Sequence, residues 1–249
     1  MKNKIKIHDV NPLRRDRRQF LKLSGMALVG TSLVFMTGCS NDDDAPSPPE
    51  EIFDLGTGDL GVLNYAYALE QLEADFYTRV VNHSNFRSTF SQNEQQVLTD
   101  LYYHEVIHRD FFNTAIGVAV SGDLTKRLPV LEFDYGNLDF GNREIVLATS
   151  KTLEDTGIAA YNGAGKLLTN PDYLLIAGKI VSVEARHASA IRNIIATGSI
   201  DGADSKSFAG DDIVDPVTGL GQALSPSEIV AAAGGFITTP FTYKEQGIG

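Results

Sequence analysis

Residues 105–108 read Glu-Val-Ile-His, and the same pattern of a glutamate followed three residues later by a histidine returns at residues 184–187 as Glu-Ala-Arg-His. Glu-x-x-His occurs nowhere else in the chain. Both copies lie within long segments whose apolar residues recur at helical spacing. Residues three apart on a helix share a face, so each copy can present one carboxylate and one imidazole to a single metal ion.

A second pattern, Glu-x6-Tyr, also occurs twice and nowhere else, as Glu70 with Tyr77 and as Glu154 with Tyr161. Seven residues are about two helical turns, so the glutamate and the tyrosine of each pair share a helix face. Along the chain, one Glu-x6-Tyr pair precedes each Glu-x-x-His pair. The two patterns thus alternate along the chain, with one pair in each of four predicted helices.

Caps and apolar periodicity predict the ends of these four helices, and no segment of the body shows the sustained alternation of a half-buried strand. The first helix should have Asp59 as its N-cap, and the capping box Ser-Gln-Asn-Glu at residues 91–94 should open the second. Asn-Pro at residues 170–171 should open the fourth, because Pro is favoured at the first helical position. The predicted helices cover about residues 59–82, 91–117, 142–168 and 170–198.

The connections between these helices predict the topology. Two are short, whereas residues 119–141 form a long connection that is rich in Gly and Pro yet retains apolar side chains. We expect this segment to pack on the bundle as a crossover between the second and third helices. The fold class predicted is therefore all-α, an antiparallel four-helix bundle. Beyond it, a capping box at residues 225–228 predicts one short helix in the C-terminal extension.

The two patterns together supply four carboxylates and two imidazoles. Such an anionic, oxygen-rich set suits two iron or manganese ions, whereas thiolate ligands would favour zinc or copper. Each glutamate has apolar neighbours one turn away, and a buried charge without a partner is costly, so a metal ion is its natural partner. The tyrosines Tyr77 and Tyr161 are expected to hydrogen-bond the ligand carboxylates. The predicted metal ligands are Glu70, Glu105, His108, Glu154, Glu184 and His187.

Simpler interpretations of these residues stay open at this point. The glutamates could lie on exposed helix faces, and the two motif histidines could be ordinary core residues with hydrogen-bonded rings. Glu73 lies one turn from Glu70 and could be the ligand in its place. His83 and His104 flank the motifs and are expected to be surface residues.

Residues 59–197 resemble the ferritin-like superfamily, because they carry the alternating glutamate and Glu-x-x-His pattern on predicted helices. The segment at residues 69–77, Leu-Glu-Gln-Leu-Glu-Ala-Asp-Phe-Tyr, is similar to the branch that contains desiccation-related and exported bacterial ferritin-like proteins. The resemblance implies two bound iron or manganese ions. Members of the superfamily act as ferroxidases, rubrerythrin-like peroxidases or manganese catalases, while this branch has no settled activity.

The resemblance therefore implies an oxidoreductase that reacts with peroxide or oxygen in stress defence at the cell envelope. The chain has no Cys-x-x-Cys pair, so the rubredoxin-like electron-transfer module of rubrerythrins is absent. The alternative is a non-catalytic helical envelope protein in which the metal only holds the bundle together. Turnover of peroxide by the metal-loaded protein distinguishes the two.

The first 38 residues have the order of a bacterial signal peptide. A basic stretch at residues 14–22 precedes an apolar run at residues 23–37, which is shorter than the roughly 20 residues that span a bilayer. Arg17 and Arg18 resemble the pair of a twin-arginine export signal, although Asp16 stands where Ser or Thr is usual. We expect export of the folded protein.

Residues 36–39, Met-Thr-Gly-Cys, resemble a lipobox, so Cys39 is expected to become the acylated N-terminus of a lipoprotein. The polar, Pro-rich sequence that follows should behave as an extended tether. The mature protein is then expected in the cell envelope, attached to a membrane through its lipid anchor. The predicted organisation is a signal peptide at residues 1–38, a tether at 39–58, the bundle at 59–198 and the extension at 199–249.

Composition limits the possible partners. The chain of 249 residues has a net charge of -11, and after residue 38 it contains 13 basic against 30 acidic residues. An acidic surface argues against binding of nucleic acid and attracts cations. A single cysteine excludes an internal disulfide. We expect a monomer or a homodimer, because a tethered chain with an extension of about 50 residues is poorly suited to a closed storage cage.

Overall fold

The computed structural model describes residues 52–197, 210, 212–243 and 248. The predicted signal peptide lies outside these residues, and so do Arg17, Arg18, Cys39 and most of the tether. No helix in the described part of the chain is long and apolar enough to cross a membrane.

Four long helices form the body, as the sequence predicts, and a one-turn helix, α2 at Phe86–Thr89, lies in the first short connection. Helix α1 packs mainly against α3, and α4 packs mainly against α5. Residues 120–142 cross between these two helical hairpins. The all-α bundle with one long crossover is therefore confirmed. The long helices are α1 at Gly58–Asn82, α3 at Gln92–Ala119, α4 at Arg143–Gly165 and α5 at Pro171–Thr197.

The predicted cap of α3 is confirmed. Ser91 Oγ accepts a hydrogen bond from the backbone N–H of Glu94, and Glu94 Oε2 accepts one from the N–H of Ser91 at 2.9 Å. The predicted cap of α1 is wrong, because Thr57 occupies the N-cap position. The Asp59 carboxylate instead accepts hydrogen bonds from the N–H groups of Thr169 at 2.7 Å and Asn170 at 3.0 Å. It thereby fastens the start of α1 to the start of α5.

The crossover packs on α1 through two buried amide side chains. Asn64 Nδ2 donates to the carbonyl of Lys126, and Asn64 Oδ1 accepts from the N–H of Leu128 at 2.9 Å. Two turns later, Gln71 makes the same pair of bonds to Pro129 O and Leu131 N. Each amide satisfies backbone groups of an irregular segment, as buried polar groups require. The predicted packing of this connection is confirmed.

The short helix in the described part of the C-terminal extension lies against α4. This helix, α6 at Pro226–Ala233, is opened by the predicted capping box of Ser225. The N–H of Leu224 donates to the carbonyl of Ala159 at 3.0 Å. A two-residue strand, β1 at Phe53–Asp54, pairs in parallel with β2 at Phe241–Thr242.

Two apolar clusters occupy the interior of the bundle at different heights. One includes Leu69 of α1 and Phe112 of α3, and the other includes Leu72 of α1 and Leu101 of α3. The two Glu-x-x-His patterns fall in the layer between these clusters, since residues 105–108 lie between Leu101 and Phe112. The fold therefore encloses the polar residues between two apolar walls.

Candidate metal centre

The structure brings all six predicted ligand residues into this layer. The four glutamates are fully buried, with 0% of each residue exposed, and both histidines are buried as well. Each helix contributes on the face that points to the bundle axis, because a residue's neighbours three positions away lie on the same side of the helix. The six residues are Glu70 from α1, Glu105 and His108 from α3, Glu154 from α4, and Glu184 and His187 from α5.

The first group of ligand atoms surrounds His108. Its Nδ1 atom lies 3.0 Å from Glu184 Oε1 and 3.4 Å from both Glu70 Oε2 and Glu105 Oε2. The four atoms come from three helices, and all lie within 4.8 Å of one another. One ion could be held among three carboxylate oxygens and one imidazole nitrogen.

The second group surrounds His187 in the same way. Its Nδ1 atom lies 2.8 Å from Glu105 Oε1 and 3.3 Å from both Glu154 Oε2 and Glu184 Oε2. These atoms also lie within 4.8 Å of one another. The second group therefore has the same composition as the first.

Two glutamates belong to both groups. Glu105 places Oε2 beside His108 and Oε1 beside His187, and Glu184 places Oε1 beside His108 and Oε2 beside His187. A carboxylate with one oxygen in each of two neighbouring groups can bridge two ions. Glu70 and Glu154 each belong to only one group, so each can bind only one of the two ions.

The ligand atoms have few other partners. Ten buried side-chain N and O atoms in the described part of the chain make no hydrogen bond, and eight of them belong to these six residues. The short separations within the groups therefore lack the angles of hydrogen bonds. In an octahedral site with bonds of about 2.1 Å, neighbouring ligand atoms lie about 3.0 Å apart, which matches the separations found around both imidazoles. Unpaired buried polar atoms at metal-ligand spacing fit a pair of cations.

Burial and mutual repulsion keep protons in the site when no cation neutralises it. Burial, reinforced by the charges of Glu184 and Glu105, raises the pKa of Glu70 to about 8. Burial also raises the pKa of Glu154 well above its usual value. Burial alone would lower the pKa of His108, but the carboxylates around it raise that pKa to about 12. Burial would raise the pKa of Glu184, but His108 and His187 beside it lower that pKa to about 2.

The two tyrosines bind the glutamates across the bundle. Tyr77 of α1 donates to Oε1 of Glu154 on α4 at 2.5 Å and also contacts Ser150 Oγ. Tyr161 of α4 donates to Oε1 of Glu70 on α1. In both glutamates the tyrosine takes Oε1 and leaves Oε2 for the candidate ion. Each tyrosine thus orients the glutamate of the other Glu-x6-Tyr pair.

Glu73, which the sequence left as an alternative to Glu70, lies outside both groups. It is buried, with 3% of the residue exposed, and Oε2 makes no hydrogen bond. Its carboxyl group lies against Gly157 of α4, where an added Cβ would come within 3.0 Å of Glu73 Oε1. Burial raises the pKa of Glu73 well above its usual value, which favours the neutral acid. Gly157 makes room for a fifth carboxyl group beside the four ligands.

The two flanking histidines differ from one another. His83 is half-buried at the end of α1, where its Nδ1 accepts from the N–H of Asn85 at 3.3 Å, away from the site. His104 is exposed, as expected, but its Nδ1 lies 2.9 Å from His187 Nε2. Sequence reasoning missed this contact. The available signal was the position of His104 four residues before His108, which puts both on one face of α3.

Residues 58–197, more than half of the chain, match the family model of the ferritin-like domain. The matched segment begins and ends with the four-helix bundle and contains all six candidate ligands. No curated protein matches the chain.

Proposed function

The chain belongs to the ferritin-like family, and we propose that it is an oxidoreductase that binds two iron or manganese ions and reacts with peroxide or oxygen. Glu70 and His108 would hold one ion, Glu154 and His187 the other, and both would share Glu105 and Glu184. The observation that carries the proposal is the placement of the two shared carboxylates, each with one oxygen beside each imidazole.

A pair of redox-active ions would supply electron exchange with a small oxidant, which the amino acid side chains cannot perform alone. The residues of this chain bind the ions, neutralise their charge and exclude bulk water. Four carboxylates with 0% exposure between two apolar clusters form a site that bulky substrates cannot reach. The enclosure supports a small molecule such as peroxide or oxygen as the reactant.

Peroxide consumption tests this proposal against the non-catalytic alternative. Metal-free protein is loaded with Fe²⁺ or Mn²⁺ under anaerobic conditions. Hydrogen peroxide, which can serve as both electron donor and electron acceptor, is then added in excess, or oxygen is added together with excess Fe²⁺ as the electron donor. We expect many turnovers per chain. Ions that stay bound while the oxidant is not consumed would support a purely structural role and contradict the oxidoreductase.

Two variants serve as controls for that experiment. A double variant with Glu105→Ala and Glu184→Ala lacks both shared carboxylates and should lose turnover. Glu144→Ala removes an exposed glutamate in the first turn of α4, outside both groups, and should behave like the wild-type protein. Turnover by the double variant at the wild-type rate would contradict the assignment of the site.

We also propose that the protein is exported and attached to a membrane of the cell envelope through acylated Cys39, as a monomer or homodimer. The supporting observations are the basic and apolar segments before Cys39 and the polar sequence after it. Acyl chains supply about 0.8 kcal/mol of anchoring free energy for each buried methylene. Cys39→Ser should therefore release the protein from the membrane fraction, and unchanged fractionation of that variant would contradict the lipid anchor.

A further inference from the structure

His104 has an exposed side chain on α3, yet it makes a specific contact with the buried site. Its Nδ1 atom lies 2.9 Å from Nε2 of His187 on α5. The two rings are nearly parallel, with 5.1 Å between their centroids and 12° between their planes. The contact is therefore an edge-to-edge hydrogen bond between two nearly parallel rings, one on α3 and the other on α5.

The two nitrogens of His187 have separate roles. Nδ1 faces the carboxylates of Glu105, Glu154 and Glu184 and is the candidate metal ligand. Nε2 faces His104. A neutral imidazole that binds a metal through Nδ1 carries its hydrogen on Nε2, so Nε2 must be the donor in this bond. Nδ1 of His104 is then the acceptor.

We propose that His104 is a positioning residue that orients the imidazole of His187 and makes the two metal positions unequal. The inference rests on the proposed pair of ions. A partner on the second nitrogen of a metal-binding histidine fixes the ring and its tautomer, and losing such a partner typically costs about 10–100-fold in metal affinity. The ion beside His187 and Glu154 gains this support.

The other metal position lacks the equivalent residue. His104 directly precedes Glu105, and the residue that directly precedes Glu184 is Val183. Valine offers no nitrogen, and within the described part of the chain no imidazole pairs with Nε2 of His108. The His108 side chain is also more exposed than that of His187, at 11% against 4%. The two groups thus have the same kinds of ligands, but only the histidine of the second group has an imidazole partner on Nε2 within the described part of the chain.

Two substitutions of His104 separate orientation from general packing. His104→Leu removes the acceptor nitrogen and replaces the imidazole with an apolar side chain at an exposed position. His104→Asn restores an acceptor, because Asn Oδ1 branches from the same atom as His Nδ1. The matched control is His83→Leu, which removes a histidine that lies away from the site.

Titration with Mn²⁺ alone, with free ion measured by electron paramagnetic resonance, tests the proposal. Wild-type protein and His83→Leu should bind two ions. His104→Leu should bind one ion with unchanged affinity and the other about 10–100-fold more weakly, and His104→Asn should recover most of that loss. Wild-type affinity for both ions in His104→Leu, or no recovery in His104→Asn, would overturn the proposal while leaving the pair of ions intact.

A second measurement does not depend on metal. In the metal-free protein, ¹⁵N magnetic resonance should detect scalar coupling across the bond between His187 Nε2 and His104 Nδ1, with loss of the coupling in His104→Leu. Absence of the coupling in the wild-type protein would overturn the proposal. If wild-type protein bound no Mn²⁺, the proposed metal function and the role of His104 in it would both fail.

Discussion

Tyr161 on α4 donates its phenolic hydrogen to Oε1 of Glu70 on α1, a residue 91 positions earlier in the chain. Tyr77 on α1 makes the reciprocal bond to Glu154 on α4 at 2.5 Å. The two bonds link the first helix of each hairpin to the other hairpin. Because each bond occupies Oε1, Glu70 and Glu154 each have only Oε2 left for a metal ion, and each belongs to only one of the two groups.

Substituting Tyr161 by Phe tests the contribution of this bond to stability. The change should leave Oε1 of fully buried Glu70 without a partner and lower the free energy of unfolding by about 1–3 kcal/mol. Chemical denaturation of the metal-free protein measures it. Tyr103→Phe, at an exposed position on α3, is the control and should change little. An equal effect of the two substitutions would show that the tyrosine does not stabilise the glutamate.

His187→Ala tests the assignment of ligands by the Glu-x-x-His pattern. The variant loses the nitrogen at the centre of the second group, so metal content should fall and oxidant consumption should stop. The helices should remain, because most helical stability comes from packing, and circular dichroism checks this. His83→Ala should keep both metal content and turnover. The assignment fails if His187→Ala keeps full metal content and activity, or if His83→Ala loses them.

Metal binding should release protons. Without metal, the raised pKa values of about 8 for Glu70 and about 12 for His108 mean that both groups hold protons near neutral pH. Metal ions bind carboxylates and neutral imidazoles, so an ion bound by Glu70 and His108 must displace these protons. Affinity should therefore fall as the pH is lowered from about 8. An indicator dye in weakly buffered solution should record the release, and binding that neither acidifies the solution nor weakens at low pH would contradict it.

Gly163 of α4 provides the close approach that docks the C-terminal extension. A Cβ atom at this position would lie 1.8 Å from the carbonyl oxygen of Leu224. Gly163→Ala should force that segment away and cost about 1–3 kcal/mol of unfolding free energy, as overpacking does. Gly178→Ala on α5, where an added Cβ would meet no atom within 4 Å beyond the adjacent backbone of its own helix, should instead stabilise by up to about 1 kcal/mol. Thermal unfolding of the two variants should shift in opposite directions, and a shared direction would contradict this account.

The helices and the six clustered residues follow from local sequence rules. The capping box at Ser91 and the Asn-Pro pair at residues 170–171 mark helix starts in the sequence, and the structure places them there. Spacing along one helix also shows which residues share its face. Helix starts and the residues that share a helix face were therefore predictable, because the contacts that decide them join residues no more than four positions apart.

Contacts between helices were not predictable in the same way. Spacing along the sequence pairs Glu70 with Tyr77 on α1. In the structure, however, Tyr77 binds Glu154 on α4, and Tyr161 on α4 binds Glu70. Such partners depend on how the two helices are rotated and shifted relative to one another. The same limit applies to His104, whose partner His187 is 83 residues away. It also applies to Gly157, whose missing side chain matters only because Glu73 lies opposite. These residues carry no local pattern that names their partners.

The number of metal ions bound per chain decides whether the four helices form a two-metal site. Metal-free protein is dialysed against Fe²⁺ or Mn²⁺ under anaerobic conditions, and bound metal is measured together with protein concentration. Two ions per chain are predicted for the wild-type protein, with loss of that capacity in the double variant Glu105→Ala and Glu184→Ala. No bound metal in the wild-type protein, or two ions retained by the double variant, would contradict a two-metal site built on the shared carboxylates.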